Sequence, residues 1–292
     1  MRKNIIRGPY FKNIKNKIMV FTGGTDGMGR IAVEKFAAME ATIFLLGRNE
    51  EKTKRVISEI RDSTKNNNIT FVKCDLSDLT SVRNAAKLIN ESCKSIDYLI
   101  NCAGANKLKK AYSVDGFDAS WAVNHLGPFL LTNLLLEKIK NTTNARIVNL
   151  SSAMQAFAKL DITDLQSEKK YRKGRSYSNP KLVMIMWTRI IAEELKNTSV
   201  TINALNPGFI STNLLREAKS YMKIWILIMR IVASKAEVGA NRILTMALAE
   251  EYGKRSGVFV YEDYIKDPNR QAFDKELSQQ IFEISKKQVG LT

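Results

Sequence analysis

The chain has 292 residues, 45% of them hydrophobic and 26% charged, which suits one large globular domain and argues against a disordered or repetitive chain. A single histidine, His125, excludes a multi-histidine zinc site, and Cys74, Cys93 and Cys102 lack metal-ligand spacing, so they read as reduced packing thiols. The net charge of +17 is the anomaly, yet its lysines are scattered, without the aromatic-studded stripe of a nucleic-acid surface, so no nucleic acid is expected as partner. Two readings of the surplus stand side by side: attraction to an anionic membrane, where each basic residue contributes roughly 1 kcal/mol, or a lysine-rich solvated coat.

In chain order, residues 1–17 form a basic extension without the continuous apolar core of a signal peptide. Ile18–Thr22 reads as a strand, Gly29–Met39 as a helix, Thr42–Leu46 as a strand and Glu50–Asn66 as a polar-faced helix. Ile69–Lys73, Asp97–Asn101, Arg146–Leu150 and Val200–Leu205 continue the strands, with helices at Asp78–Cys93, Phe117–Lys140 and Lys181–Lys196. A helix at Ala236–Glu250, a strand at Gly257–Val260 and a helical pattern at Leu277–Ile284 close the chain. Apolar strands alternating with helices predict an α/β fold: one doubly wound Rossmann-type domain over residues 18–292, with a parallel sheet of about seven strands. No stretch reaches the roughly 18 apolar residues of a spanning helix. Tyr221–Ala233 is the nearest, and it is short and carries Lys223 and Arg230. The expected location is therefore cytoplasmic, with peripheral attachment to a cytosol-facing membrane open to it.

Three local patterns carry chemistry. The first strand runs into Gly23, Thr25, Asp26, Gly27, Met28 and Gly29 at the mouth of a helix. Glycines there permit a tight turn and let backbone N–H groups approach a pyrophosphate. At the end of the second strand stands Arg48, where an acid would hold a ribose 2′-hydroxyl. An arginine can accept a 2′-phosphate, so NADP is favoured over NAD. Third, Tyr177 and Lys181 are one helical turn apart. A free phenol with pKa about 10 is a poor proton acceptor at neutral pH, and a neighbouring cation stabilises its phenolate.

These elements in this order, with Asn101-Cys102-Ala103-Gly104 and Ser151-Ser152 between them, resemble the short-chain dehydrogenase/reductase family over nearly the whole chain. The Asp164–Ser167 insert between Ser152 and Tyr177 sharpens the likeness to its retinol dehydrogenase-like branch, and Thr22–Gly27 is also similar to the X-linked dehydrogenase/reductase members. The resemblance implies an NADP-dependent oxidoreductase, with NAD as second cofactor, that interconverts a lipophilic alcohol of retinoid, isoprenoid or steroid type and its carbonyl. It implies catalytic roles for Asn124, Ser152, Tyr177 and Lys181, Asn124 holding a relay water, Ser152 the substrate oxygen, and Lys181 also the ribose. It adds Asp75 and Leu76 at the adenine, Asn101, Ala103 and Gly104 beside the cofactor, and Pro207, Gly208 and Thr212 around the nicotinamide. Residues 219–233 then fall where a substrate lid or membrane-facing segment is expected, and a homodimer is admitted. Two departures, Cys102 for asparagine and Pro180 before the lysine, motivate the alternative of a catalytically silent nucleotide-binding scaffold. A proline in the first turn of a helix starting near Tyr177 would be tolerated, because those N–H groups have no intrahelical partner.

Overall fold

The computed structural model describes residues 13–106, 110–166, 168–169, 171–208 and 236–291. The strands β1 (Ile18–Thr22), β2 (Thr42–Gly47), β3 (Ile69–Lys73) and β4 (Tyr98–Asn101) are joined by α1 (Gly27–Ala38), α2 (Glu50–Thr64) and α3 (Leu79–Ser92). The chain continues through α4 (Ala119–Trp121), a π turn (Ala122–Leu126), α5 (Gly127–Lys140), β5 (Arg146–Leu150), α6 (Lys173–Glu194) and β6 (Thr201–Asn206). Past the undescribed stretch come α7 (Ala236–Leu248), α8 (Glu250–Gly253), β7 (Phe259–Tyr261), β8 (Tyr264–Ile265) and α9 (Lys275–Gln288).

Strand order is β3-β2-β1-β4-β5-β6-β7-β8, parallel throughout except for the antiparallel edge strand β8. That eighth strand, two residues long, is too short to show a period in sequence. Alternation along each strand divides the core. Val20 and Phe44 face one apolar layer with α3, α5, α6 and α9, while Met19, Phe21, Ile43 and Leu45 face the other with α1, α2 and α7. β1 and β2, covered on both faces, are near-continuous apolar runs, whereas the edge strand β3 alternates and exposes Thr70 and Lys73. The end of the basic extension belongs to this body: Ile14 is buried, and Lys17 pairs with Asp97 at 2.9 Å.

Two departures bear on the cleft. The expected Phe117–Lys140 helix contains a π turn at Asn124, whose side-chain Nδ2 donates to the Ser120 carbonyl at 2.9 Å. That carbonyl is the acceptor an α-helix would reserve for the backbone N–H of residue 124. Helix α6 begins at Lys173, so Pro180 lies inside it and not in its first turn. The polar, basic lead-in has no apolar period and reads as loop in sequence. Proline there removes the N–H that would bond the Ser176 carbonyl, a cost that the packing of Leu182 through Trp187 must offset.

Candidate active site

The site forms at the carboxyl ends of β1, β4, β5 and β6, where strand order reverses between β1 and β4. At the cofactor end the backbone is the structure. Asp26 caps α1 by accepting from Gly27 N at 2.9 Å, and its other oxygen meets Lys52 Nζ at 3.1 Å. Gly23 has φ +76°, and a Cβ there would stand 2.6 Å from the Ala103 main chain. A Cβ on Gly29 would fall 2.2 Å from the Gly23 carbonyl. The turn is thus folded onto itself and onto the segment after β4, directly at the N-terminus of α1. Thr25 and Met28 are half-buried on its flanks. Thr22, which opens the motif but is not among the candidate cofactor residues, accepts through Oγ1 from Ala103 N at 3.2 Å and so ties the β1 and β4 ends together.

Arg48 follows β2 and is exposed; its own carbonyl accepts from Lys73 Nζ at 2.8 Å. Glu50, the nearest acid on α2, is paired to Lys54 at 2.6 Å, which holds its carboxyl below the usual range. Asp75 spends Oδ1 on the Ser77 amide and hydroxyl, at 2.9 and 2.7 Å, in a turn of its own. Leu76 is buried, with its main chain and Cβ packed where a Gly127 side chain would project.

At the reacting end the material is buried polar side chains. Asn101 Nδ2 donates to Asn149 Oδ1 (2.8 Å) and Thr132 Oγ1 (3.0 Å), and Asn149 Nδ2 to Thr188 Oγ1 (2.9 Å), which knits β4, β5, α5 and α6. Lys181 is 3% exposed and donates to the Leu150 carbonyl at 2.7 Å. Burial lowers its pKa to about 8. Its own carbonyl accepts from Ser151 Oγ at 2.8 Å, a role for Ser151 that the sequence reading passes over. Gly104 makes room for the lysine: a Cβ there would be 3.1 Å from Asn124 Oδ1 and 3.4 Å from Lys181 Nζ. Asn124 clamps the neighbouring main chain, accepting from Ala105 N at 3.1 Å and donating to Ala105 O at 2.7 Å. Cys102 lies close by, its thiol pushed up to about 12 by burial despite the Lys181 charge.

Tyr177 stands with Lys181 Nζ 5.9 Å from its ring centroid. Burial raises its phenol pKa, and a hydrogen bond with the Ser152 side chain works in the opposite direction. The lysine is not what governs the phenol in this state. Its ammonium is committed to Leu150, and burial penalises both charges. His125 is fully buried, bonded through Nε2 to Ser285 Oγ at 2.8 Å, and its pKa is lowered to about 3, as suits a packed imidazole. Pro207 and Gly208 close the site beyond β6, whereas Thr212 and the 219–233 segment lie outside the described residues.

The residues between Ser152 and Tyr177 are pinned at intervals. Asn179 bridges the main-chain N and O of Lys159 (3.1 and 3.3 Å), and Gln271 does the same at Leu160 (2.9 and 3.2 Å). Gln166, from the insert, accepts from Asp118 N at 2.9 Å. Just past Ser152, a short 3₁₀ turn leaves Met154 39% and Phe157 73% exposed.

The model of the short chain dehydrogenase family matches residues 17–223. Human retinol dehydrogenase 12 is 37% identical over 84% of this chain and 78% of its own length. Human polyprenol dehydrogenase is 29% identical over 97% of this chain and 88% of its own. Among solved structures, an uncharacterized protein from Mycobacterium paratuberculosis superposes with a TM-score of 0.77 at 25% identity, covering 95% of each chain.

Proposed function

The chain belongs to the short-chain dehydrogenase family, in its retinol dehydrogenase-like branch, and on that premise we propose an NADP-dependent oxidoreductase of lipophilic alcohols and their carbonyl counterparts. The observation that carries this reading is the convergence of Ser152, Tyr177 and Lys181 beside the glycine turn. Among the described residues the buried Lys181 ammonium has no carboxylate partner, a costly arrangement, and it stands against a phenol that is hydrogen-bonded to Ser152. The residues fit a dinucleotide: the glycines let the turn close on itself and on the segment after β4 directly at the N-terminus of α1, the kind of helix start that receives phosphate.

When bound, a nicotinamide supplies hydride exchange at the substrate carbon. The chain supplies the proton and the alignment. Ser152 holds the substrate oxygen, and Tyr177 holds the proton that this oxygen gains or gives up. Because burial keeps the phenol protonated through neutral pH, Tyr177 is poised there as a donor, the role needed for carbonyl reduction. Lys181 steadies the phenolate that remains after transfer. NADP preference is supported by Arg48, exposed beside Lys73 while Glu50 is neutralised by Lys54. A lipophilic substrate is supported by the retinol and polyprenol dehydrogenase relatives and by exposed Met154 and Phe157 next to Ser152.

The test is single-turnover reduction of retinal, a polyprenal and a ketosteroid with NADPH and with NADH. Turnover of at least one with NADPH is expected. Dinucleotide binding without turnover of any of them would favour the scaffold reading. Among the described residues no helix is long and apolar enough to cross a membrane. Peripheral attachment is supported by the +17 charge, and salt-sensitive co-sedimentation with anionic vesicles would check it.

A further inference from the structure

Arg242 on α7 is 6% exposed, and its guanidinium is divided between two places. Nη1 donates to the Pro207 carbonyl at 2.6 Å. Nε and Nη2 take the two oxygens of Asp263 at 2.9 Å each, and Nη2 also reaches Glu262 Oε2 at 3.3 Å. Pro207 is the first residue beyond β6, and Glu262 and Asp263 form the turn between β7 and β8. One planar fork thus fastens the turn at the cleft to the hairpin at the sheet edge, a task suited to arginine and poorly matched by a point charge.

The fit leaves no slack. A Cβ on Gly208 would stand 2.5 Å from Nη1 and 3.1 Å from Glu262 Oε1, and Gly208 has φ +92°. Buried ion pairs seldom stabilise a fold better than apolar packing does, so the arrangement calls for a reason other than stability. Asn206, immediately before the turn, offers one. It is 1% exposed, its Oδ1 accepts from Gly208 N at 3.3 Å, and among the described residues its buried Nδ2 has no partner. An unpaired buried donor at the rim of a cleft is the kind of group a ligand satisfies.

We propose that Arg242 is a positioning residue for the cofactor: with Asp263 it latches the Pro207–Gly208 turn in the shape that receives the nicotinamide end of the dinucleotide. Arg242 itself touches no ligand. The inference rests on the dinucleotide reading above, and the experiment separates the two.

Wild type, Arg242→Met, Arg242→Lys and Asp263→Asn would each be titrated calorimetrically with NADPH and with 2′-phospho-ADP-ribose, which lacks nicotinamide. Arg242→Met is expected to weaken NADPH by about tenfold or more and to leave the fragment within about twofold, since only the intact dinucleotide reaches the turn. Arg242→Lys should recover part of the loss, because one ammonium can hold Pro207 but not both Asp263 oxygens. Asp263→Asn sits on a partly exposed hairpin, is expected to fold, and should show a smaller loss with the same selectivity. Equal weakening of both ligands, or unchanged NADPH affinity in folded Arg242→Lys and Asp263→Asn, overturns the latch. Wild-type protein that binds neither NADPH nor NADH overturns the functional reading, and the latch with it.

Discussion

The two ends of the cleft are built from different materials. Around Gly23, Gly27 and Gly29 the shape is made by main chain: a left-handed glycine, a close approach of backbone to backbone and a capped helix start. Around Tyr177 and Lys181 it is made by buried polar side chains whose partners come from far along the sequence, such as Leu150 for Lys181 and Ala105 for Asn124. The first kind of site tolerates almost no added atoms yet carries little electrostatic strain. The second accepts isosteric changes but holds a charge the fold would be more stable without. Substitutions at the two ends should therefore fail in different ways.

The largest effect is expected from Tyr177→Phe. Removing the proton-transfer group should lower kcat by roughly 10³-fold while NADPH affinity stays within a factor of about three. Single-turnover rates beside a fluorescence titration check this; retained turnover would remove Tyr177 from the chemistry. Gly23→Ala should show the converse pattern. A left-handed alanine costs roughly 1–2 kcal/mol, and its Cβ would also press on Ala103, so dinucleotide binding and melting temperature should fall together. A variant that binds NADPH normally would mean that the turn is more compliant than it looks.

Lys181→Met sharpens the contrast through pH. The lysine's pKa drops from 10.5 to about 8 on folding, so the native state resists protonation. The cost of the ammonium is full below about pH 8 and vanishes above about 10.5. Stability of the wild type relative to the Met variant should thus rise by about 3 kcal/mol across that window, as the unfolded chain holds the proton longer. Against this runs the unpaired Leu150 carbonyl in the variant, a pH-independent cost of about 1–3 kcal/mol. Melting curves of both proteins from neutral pH to about pH 10 read the difference. A gap that does not change with pH would show that the ammonium is solvated after all.

Arg48→Asp acts at the cofactor end through charge alone. It should weaken NADPH by about 10- to 100-fold and spare NADH, as expected for loss of a charge-assisted bond to phosphate. Equal losses would make Arg48 structural. The smallest effect is expected from Gln271→Ala, which frees the Leu160 peptide at a cost of about 1 kcal/mol and should raise the substrate KM more than it changes cofactor affinity. No change in KM would mean that the other clamps hold the loop without it.

What the sequence alone determined follows from period and local chemistry. The strands β1 through β6 fall within a residue or so of the aliphatic runs read from the sequence, because strands covered on both faces are rich in apolar residues. The glycine turn was legible because it is a short stretch whose geometry is set by its own residues, and the four-residue spacing of Tyr177 and Lys181 places them on one face of α6. The tertiary structure decided what depends on distant partners. The start of α6 was hidden because its first turns are polar and basic, and Pro180 consequently sits inside the helix. The edge strand β8 exists only because β7 is there to pair with it. The balance at Tyr177, where burial outweighs the Ser152 hydrogen bond, depends on distant partners, as does the commitment of Lys181 to a strand 31 residues upstream. Nor could any local pattern announce Arg242, since its meaning lies in joining the end of β6 to a hairpin across a buried guanidinium. Contacts between residues close in sequence leave a period or a motif, whereas contacts between distant ones leave neither, because many different residues can meet the same geometric demand.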